Sequence, residues 1–190
     1  MDQMKRRSSV MLMVAIVVVG GIFYLVKGGS SKESVEPGAK KPYDAFVMTV
    51  GSVKSDGTFR GRVERTGRYA SKGLRAVGTN DFVSLRLADL QQLEPVRDPC
   101  WTEEGRRAID DLIGARIWVE ATTVERDRRG RFLVFAWNRD DTFVQEQLLR
   151  DGNAALFSGR LDVRHRDVLG AAEEAAAKGD VGRWGTCGSS

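Results

Sequence analysis

Two arginines and a glutamate interrupt stretches that otherwise read as core strand or turn. Arg86 breaks the apolar run Phe82–Leu90 (FVSLRLADL), Glu94 follows in a turn before Pro95, and Arg131 comes after Gly130 at the start of another strand. A guanidinium offers a planar fork of donors suited to phosphate or carboxylate oxygens. A carboxylate within reach of water can act as a base. Taken singly, each has an ordinary explanation, since Arg and Glu at strand ends are commonly solvated or joined in weak surface pairs. The loop Glu125–Arg131 (ERDRRGR) adds Arg126, Arg128 and Arg129 to Arg131. Such a loop is either a solvated hairpin tip or a phosphate-contacting surface. The only histidine, His165, falls near the start of an expected solvated helix and receives no role. The two cysteines, Cys100 and Cys187, form no CxxC and lie far from His165 in sequence, which disfavours a zinc site. An even count in an exported domain allows one disulfide.

The elements that would position these residues follow from patterning. Ala45–Val50 and Thr58–Arg65 are β-rich, and the Ser55-Asp56-Gly57 turn between them predicts a hairpin. Residues 66–80 are Gly-rich and read as irregular. Alternation along Phe82–Leu90 puts Phe82, Ser84, Arg86 and Ala88 on one face. Thr102 is expected to cap a helix with Glu103 and Glu104 in its first turn, ending by Gly114. Arg116–Val124 and Arg131–Trp137 read as two strands. Thr142 and Gln145 suggest a capping box for a second helix closed by Gly152. A third helix runs from about His165 to Lys178. The order strand, strand, strand, helix, strand, strand, helix, helix is mainly β with α. It suits a five-stranded OB-type Greek-key barrel with three helices.

In this order of elements, the three residues resemble the staphylococcal nuclease-like, or thermonuclease, family. The stretches that carry the resemblance are Arg86-Leu-Ala-Asp-Leu-Gln-Gln-Leu-Glu94-Pro and Arg128-Arg-Gly-Arg131. After them come Phe143-Val-Gln-Glu-Gln-Leu-Leu-Arg-Asp-Gly152 and the ending Gly182-Arg-Trp-Gly-Thr-Cys187. The resemblance covers roughly 80–187 and, less fully, 45–80. It implies cleavage of DNA or RNA phosphodiesters with calcium. Arg86 and Arg131 match the arginines that contact the phosphate, and Glu94 matches the residue that orients or deprotonates the attacking water. If the charged loop contacts phosphate, Arg128 and Arg129 are the further substrate-binding candidates. Fixed guanidiniums suit a transition state that gathers negative charge on phosphate oxygens.

The departures from the family lie at the metal. Where the family places an acidic ligand, Gln91 stands in the turn. In the D-G-like segment Asp56-Gly57-Thr58, Thr58 falls where a second aspartate belongs. Gln91 and Thr58 are weak ligands for a hard divalent ion, so the calcium site looks degraded. The family's base-stacking tyrosine is absent too, because Arg129 occupies that region. Tyr69 and Phe157 are substitutes that could stack a base.

Charge and the N-terminus set the location. The chain has 30 Lys+Arg and 26 Asp+Glu. Residues 1–41 hold seven of the bases and three of the acids, which leaves 23 of each in residues 42–190. The globular part is formally neutral, so any nucleic-acid contact must be local. Residues 1–9 are a short basic start. Residues 10–26 form an uncharged run of 17 residues that would extend about 26 Å as a helix. Lys5, Arg6 and Arg7 predict an N-terminus in the cytoplasm. No small-x-small cleavage motif precedes Lys27, which favours a single-pass anchor over a cleaved signal. Residues 27–42 read as a flexible tether. Residues 43–190 are then an extracytoplasmic nuclease-like domain. The competing expectation is a non-catalytic OB-type module that binds nucleic acid or an envelope partner.

Overall fold

The computed structural model describes residues 38–54, 56–91, 100–160 and 162–187. The anchor and most of the tether, Glu94 and Pro95, and the last three residues lie outside this set. Among the described residues, no helix is long and apolar enough to cross a membrane.

Five strands close a barrel. They are β1 (Phe46–Val53), β2 (Thr58–Arg65), β3 (Phe82–Leu87), β4 (Arg116–Arg126) and β5 (Phe132–Trp137), hydrogen-bonded in the order β1-β2-β3-β5-β4 and back to β1. All pairings are antiparallel except β3 with β5, which is parallel. This is the topology expected of an OB-type barrel. Alternation does the sorting. Phe46, Met48, Phe59, Leu85, Ile117, Val119 and Val134 are buried inside, while Arg60, Arg62 and Phe82 face out. Gly61 sits where β1 bends against β2. A Cβ there would come within 2.2 Å of the Thr49 carbonyl oxygen, so only glycine allows the approach. The β1–β2 register shifts at this bend, between Val50 and Ser52.

The helices number five among the described residues. The three expected ones are α2 (Thr102–Asp110), α3 (Val144–Arg150) and α4 (Arg166–Lys178). Two single-turn helices, α1 (Lys72–Arg75) and α5 (Arg183–Thr186), were not expected. In α1, the Ser71 hydroxyl accepts from the Leu74 N–H and drops Leu74 into the core. The expected caps differ. Trp101, not Thr102, is the N-cap of α2, and no side chain caps α3. Gln145 is fully buried and serves β5 instead. Its Oε1 accepts from the Ala136 N–H (3.1 Å), and its Nε2 donates to the Val134 carbonyl (2.8 Å). The side chain thus satisfies strand groups that a short helix packed alongside would otherwise bury unpaired.

His165 is also placed differently from the solvated position expected for it. It lies at the start of α4 against the rings of Phe135, Trp137 and Phe143, 3.4 Å from Glu120 Oε2. Cys100 and Cys187 form a disulfide that ties the segment before α2 to the end of α5.

Candidate functional site

Two hairpin turns and one strand meet at the site. The β1–β2 turn carries Asp56, whose Oδ1 accepts from the Thr58 N–H at 3.0 Å. The β4–β5 turn, Asp127-Arg128-Arg129-Gly130, is built the same way. Asp127 Oδ1 accepts from the N–H groups of Arg129 (2.9 Å) and Arg131 (3.0 Å), and Gly130 supplies the positive φ of 77° that closes the turn. Short polar side chains of this kind fold their own backbone.

Arg131 bridges the two turns. Its Nη1 donates to Asp56 Oδ2 (2.7 Å) and to Thr58 Oγ1 (2.6 Å). Its Nε donates to Asp127 Oδ2 (2.7 Å), and its Nη2 lies 2.7 Å from the same oxygen. A guanidinium has five N–H donors, and this geometry engages at least three of them internally. The side chain is only 10% exposed. Arg129 adds a longer contact, 3.4 Å, to Asp56 Oδ2.

These contacts set the charge states of the two aspartates. Burial opposes ionisation of Asp56, but hydrogen bonds from Thr58 and the charges of Arg131 and Arg129 outweigh it, so its pKa lies below the usual carboxylate value. For Asp127 burial is again outweighed, by hydrogen bonds from Arg131 and Arg129, and its pKa is also lowered.

Arg86 stands on β3 directly across from Thr58, the residue that Arg131 touches. The two arginines expected from the sequence are therefore neighbours. Arg86 Nη2 donates to the Leu90 carbonyl at 3.1 Å, and among the described residues no carboxylate lies within ion-pair distance of it. Burial, and then the charge of Arg131, lower its pKa. Arg86 lines a small cavity with Asp56, Gln91 and Leu90. Arg131 and Arg129 line an adjoining groove of about 510 Å³ that shares Asp56 and also holds Lys54, Arg126 and Phe82.

The remaining candidates separate. Gln91 is exposed at the edge of the small cavity, with its N–H bonded to the Ala155 carbonyl. Thr58 is buried and its hydroxyl already accepts from Arg131. Arg128 is exposed at the loop tip and lines neither cavity, and the same holds for Tyr69 and Phe157. Glu94 lies outside the described residues. Among those described, no three His, Cys, Asp or Glu side chains gather where a metal could bind. Calcium needs several uncommitted anionic oxygens, and the carboxylates of Asp56 and Asp127 face arginine and backbone N–H groups instead. The described residues do not fit a calcium ion.

The staphylococcal nuclease homologue model matches residues 85–186, more than half of the 190-residue chain. The chain belongs to that family. Among curated proteins none matches it. In this staphylococcal nuclease homologue, Arg86 and Arg131 lie inside the matched stretch, whereas Asp56 and Thr58 precede it. The partners of Arg131 are what sequence reasoning missed. A signal for Asp127 was present: an aspartate four residues before Arg131, in a loop closed by glycine, is positioned to fold back on it.

Proposed function

We propose that this staphylococcal nuclease homologue is a nucleic-acid-binding module. It holds a phosphodiester at Arg86 and the adjoining groove, and its hydrolytic capacity is suppressed because Arg131 is neutralised from within. The observation that carries this reading is the bridge from Arg131 to Asp56, Asp127 and Thr58. A guanidinium committed to two carboxylates has little charge left for a pentacoordinate phosphate, and transition-state stabilisation needs donors aimed at the developing oxyanion. Arg86 remains the stronger anion contact. A second reading, residual hydrolysis, is favoured by the adjacency of Arg86 and Arg131 through Thr58. In the proposed setting the domain is held outside the cytoplasm by residues 10–26, as the basic start and the uncharged run support.

Fluorescence anisotropy of the full-length protein with a labelled 12-nucleotide single strand tests the binding. Arg86→Ala should weaken it about tenfold or more, since a charge-assisted hydrogen bond is lost. With about three phosphate contacts, log K against log salt should slope near −2 for a single strand. No detectable binding, or binding that Arg86→Ala leaves unchanged, contradicts the proposal.

A further inference from the structure

The barrel has a second basic face, across from the arginine centre. In the closed order β1-β2-β3-β5-β4, the strands β3 and β5 lie opposite β1. Arg86 is on β3, and Arg131 immediately precedes β5. On the far side, Thr49 of β1 pairs with Arg62 of β2 and with Arg116 of β4. Val47, two residues back, pairs with Arg65 and with Trp118. Cross-strand partners share a face, and so do alternate residues of a strand. Met48 and Val50 are buried in the core, so Arg62, Arg116 and Trp118 stand outside. The register shift between Val47 and Met48 brings Arg65 to the same side as Arg62.

The entering chain adds a fourth cation. The Ala39 carbonyl accepts from Trp137 Nε1 at 2.6 Å, and Lys41 then places its ammonium over the Trp118 ring, 4.2 Å from the centroid. The Arg116 guanidinium lies 5.9 Å from the same centroid. The ring holds two cations in place and is not itself a platform for a ligand. Glu64 pairs with Arg116, and Asp141 with Lys41. Asp44, which feels the charge of Arg65, is paired with Arg68. Lys41, Arg62, Arg65 and Arg116 against Glu64 and Asp141 leave the face positive. Its ion pairs are loose. Arg116 is 57% exposed, against 10% for Arg131, and an exposed pair exchanges its partner for another anion at little cost.

What meets this face follows from where the described chain begins. Residues 27–37 separate the uncharged run from Gly38. As a flexible chain of that length they reach about 18 Å. A domain the length of residues 43–190 is roughly 40 Å across. The tether is therefore shorter than the domain is wide, and the face at which it enters is the one kept near the bilayer.

We propose that the outer face of β1, β2 and β4 docks on the anionic phospholipid headgroups of the membrane that holds the anchor. Lys41, Arg62, Arg65 and Arg116 meet headgroup phosphates. This rests on the anchored reading above and adds an orientation to it: the arginine centre faces away from the bilayer, open to a nucleic acid. Each basic residue close to an anionic surface contributes about fivefold in affinity. The tether supplies a high effective concentration.

The test inserts the full-length protein into nanodiscs of phosphatidylcholine or of phosphatidylglycerol. Arginine modification by phenylglyoxal is followed by peptide mass spectrometry. Arg62 and Arg65, both exposed, should react about fivefold more slowly on phosphatidylglycerol than on phosphatidylcholine. Arg128, exposed at the tip of the β4–β5 turn, should react equally on both. Salt of about 1 M should remove the difference. Replacing Arg62→Glu and Arg65→Glu together should remove the protection of Arg116. Equal modification of Arg62 and Arg65 on the two discs, or protection centred on Arg128, overturns the docked face and leaves the anchor standing. Protection of Arg62 and Arg65 by a 12-nucleotide strand on phosphatidylcholine discs gives the face to nucleic acid and also overturns it. Protein that enters neither disc overturns the anchor and the docked face together.

Discussion

Arg131 shows how one side chain can change the meaning of a family site. The family resemblance matches it to a phosphate-contacting arginine, but its contacts are those of a structural bridge between two turns. Its loss would leave Asp127 without its cation and Asp56 with only the longer contact to Arg129. Arg131→Ala should therefore destabilise the fold by about 2–4 kcal/mol, toward the lower end of the range for breaking a buried pair because Asp56 is partly solvated. Urea unfolding checks this, and an unchanged midpoint would show the bridge to be decorative. The two aspartates give the bridge a pH dependence of fixed sign. Their folded pKa values are lowered, so their stabilisation is full above the ordinary carboxylate pKa near 4 and is lost as pH falls through the lower folded values. Other lowered carboxylates share this window, so the difference between proteins is the readout. Asp127→Asn should be less stable than wild type at pH 6, and the gap should narrow by pH 2.5.

The elements divide by how much of their information is local. The five strands are legible in the sequence because each is rich in strand-forming residues and bounded by turn residues, and their order along the chain suits the barrel, whereas the parallel pairing of β3 with β5 has no local signal. The short helices α1 and α5 are not, because one turn carries too little periodicity and each depends on what it packs against. The cap expected at Gln145 fails for a related reason. A Gln three residues after Thr is a capping box only if its side chain faces the helix start, and here the strand β5 claims it. At the site, sequence marks Arg86 and Arg131 but not how much charge Arg131 retains, since Asp56 comes from a hairpin 75 residues away. Two substitutions probe the elements. Gly61→Ala pushes a methyl group into the Thr49 carbonyl and should destabilise by about 2 kcal/mol or more, read from the thermal midpoint. Cys187→Ser opens a loop of 87 residues and should cost about 2–5 kcal/mol. A Cys187→Ser protein as stable as wild type under oxidising conditions would show that α5 needs no tether.

The whole molecule confines its surplus positive charge to the N-terminal segment and leaves residues 42–190 formally balanced. The proposed nucleic-acid binding therefore rests on a local groove and not on a field, with modest counterion release. The basic start and the uncharged run predict a single pass with the domain outside the cytoplasm. Protease added to intact cells, or to spheroplasts where an outer membrane intervenes, should digest the domain, and complete protection would reverse the orientation. The central claim is that this nuclease homologue binds a phosphodiester without cutting it efficiently, because its second arginine is already neutralised. The direct test incubates excess full-length protein with end-labelled 12-nucleotide DNA and RNA strands in millimolar calcium, magnesium or manganese and follows bound and cleaved fractions together. The account predicts bound, intact strands. Efficient cleavage by wild type would contradict it, and its loss in Arg131→Lys would show that Arg131 is free to act on the phosphate.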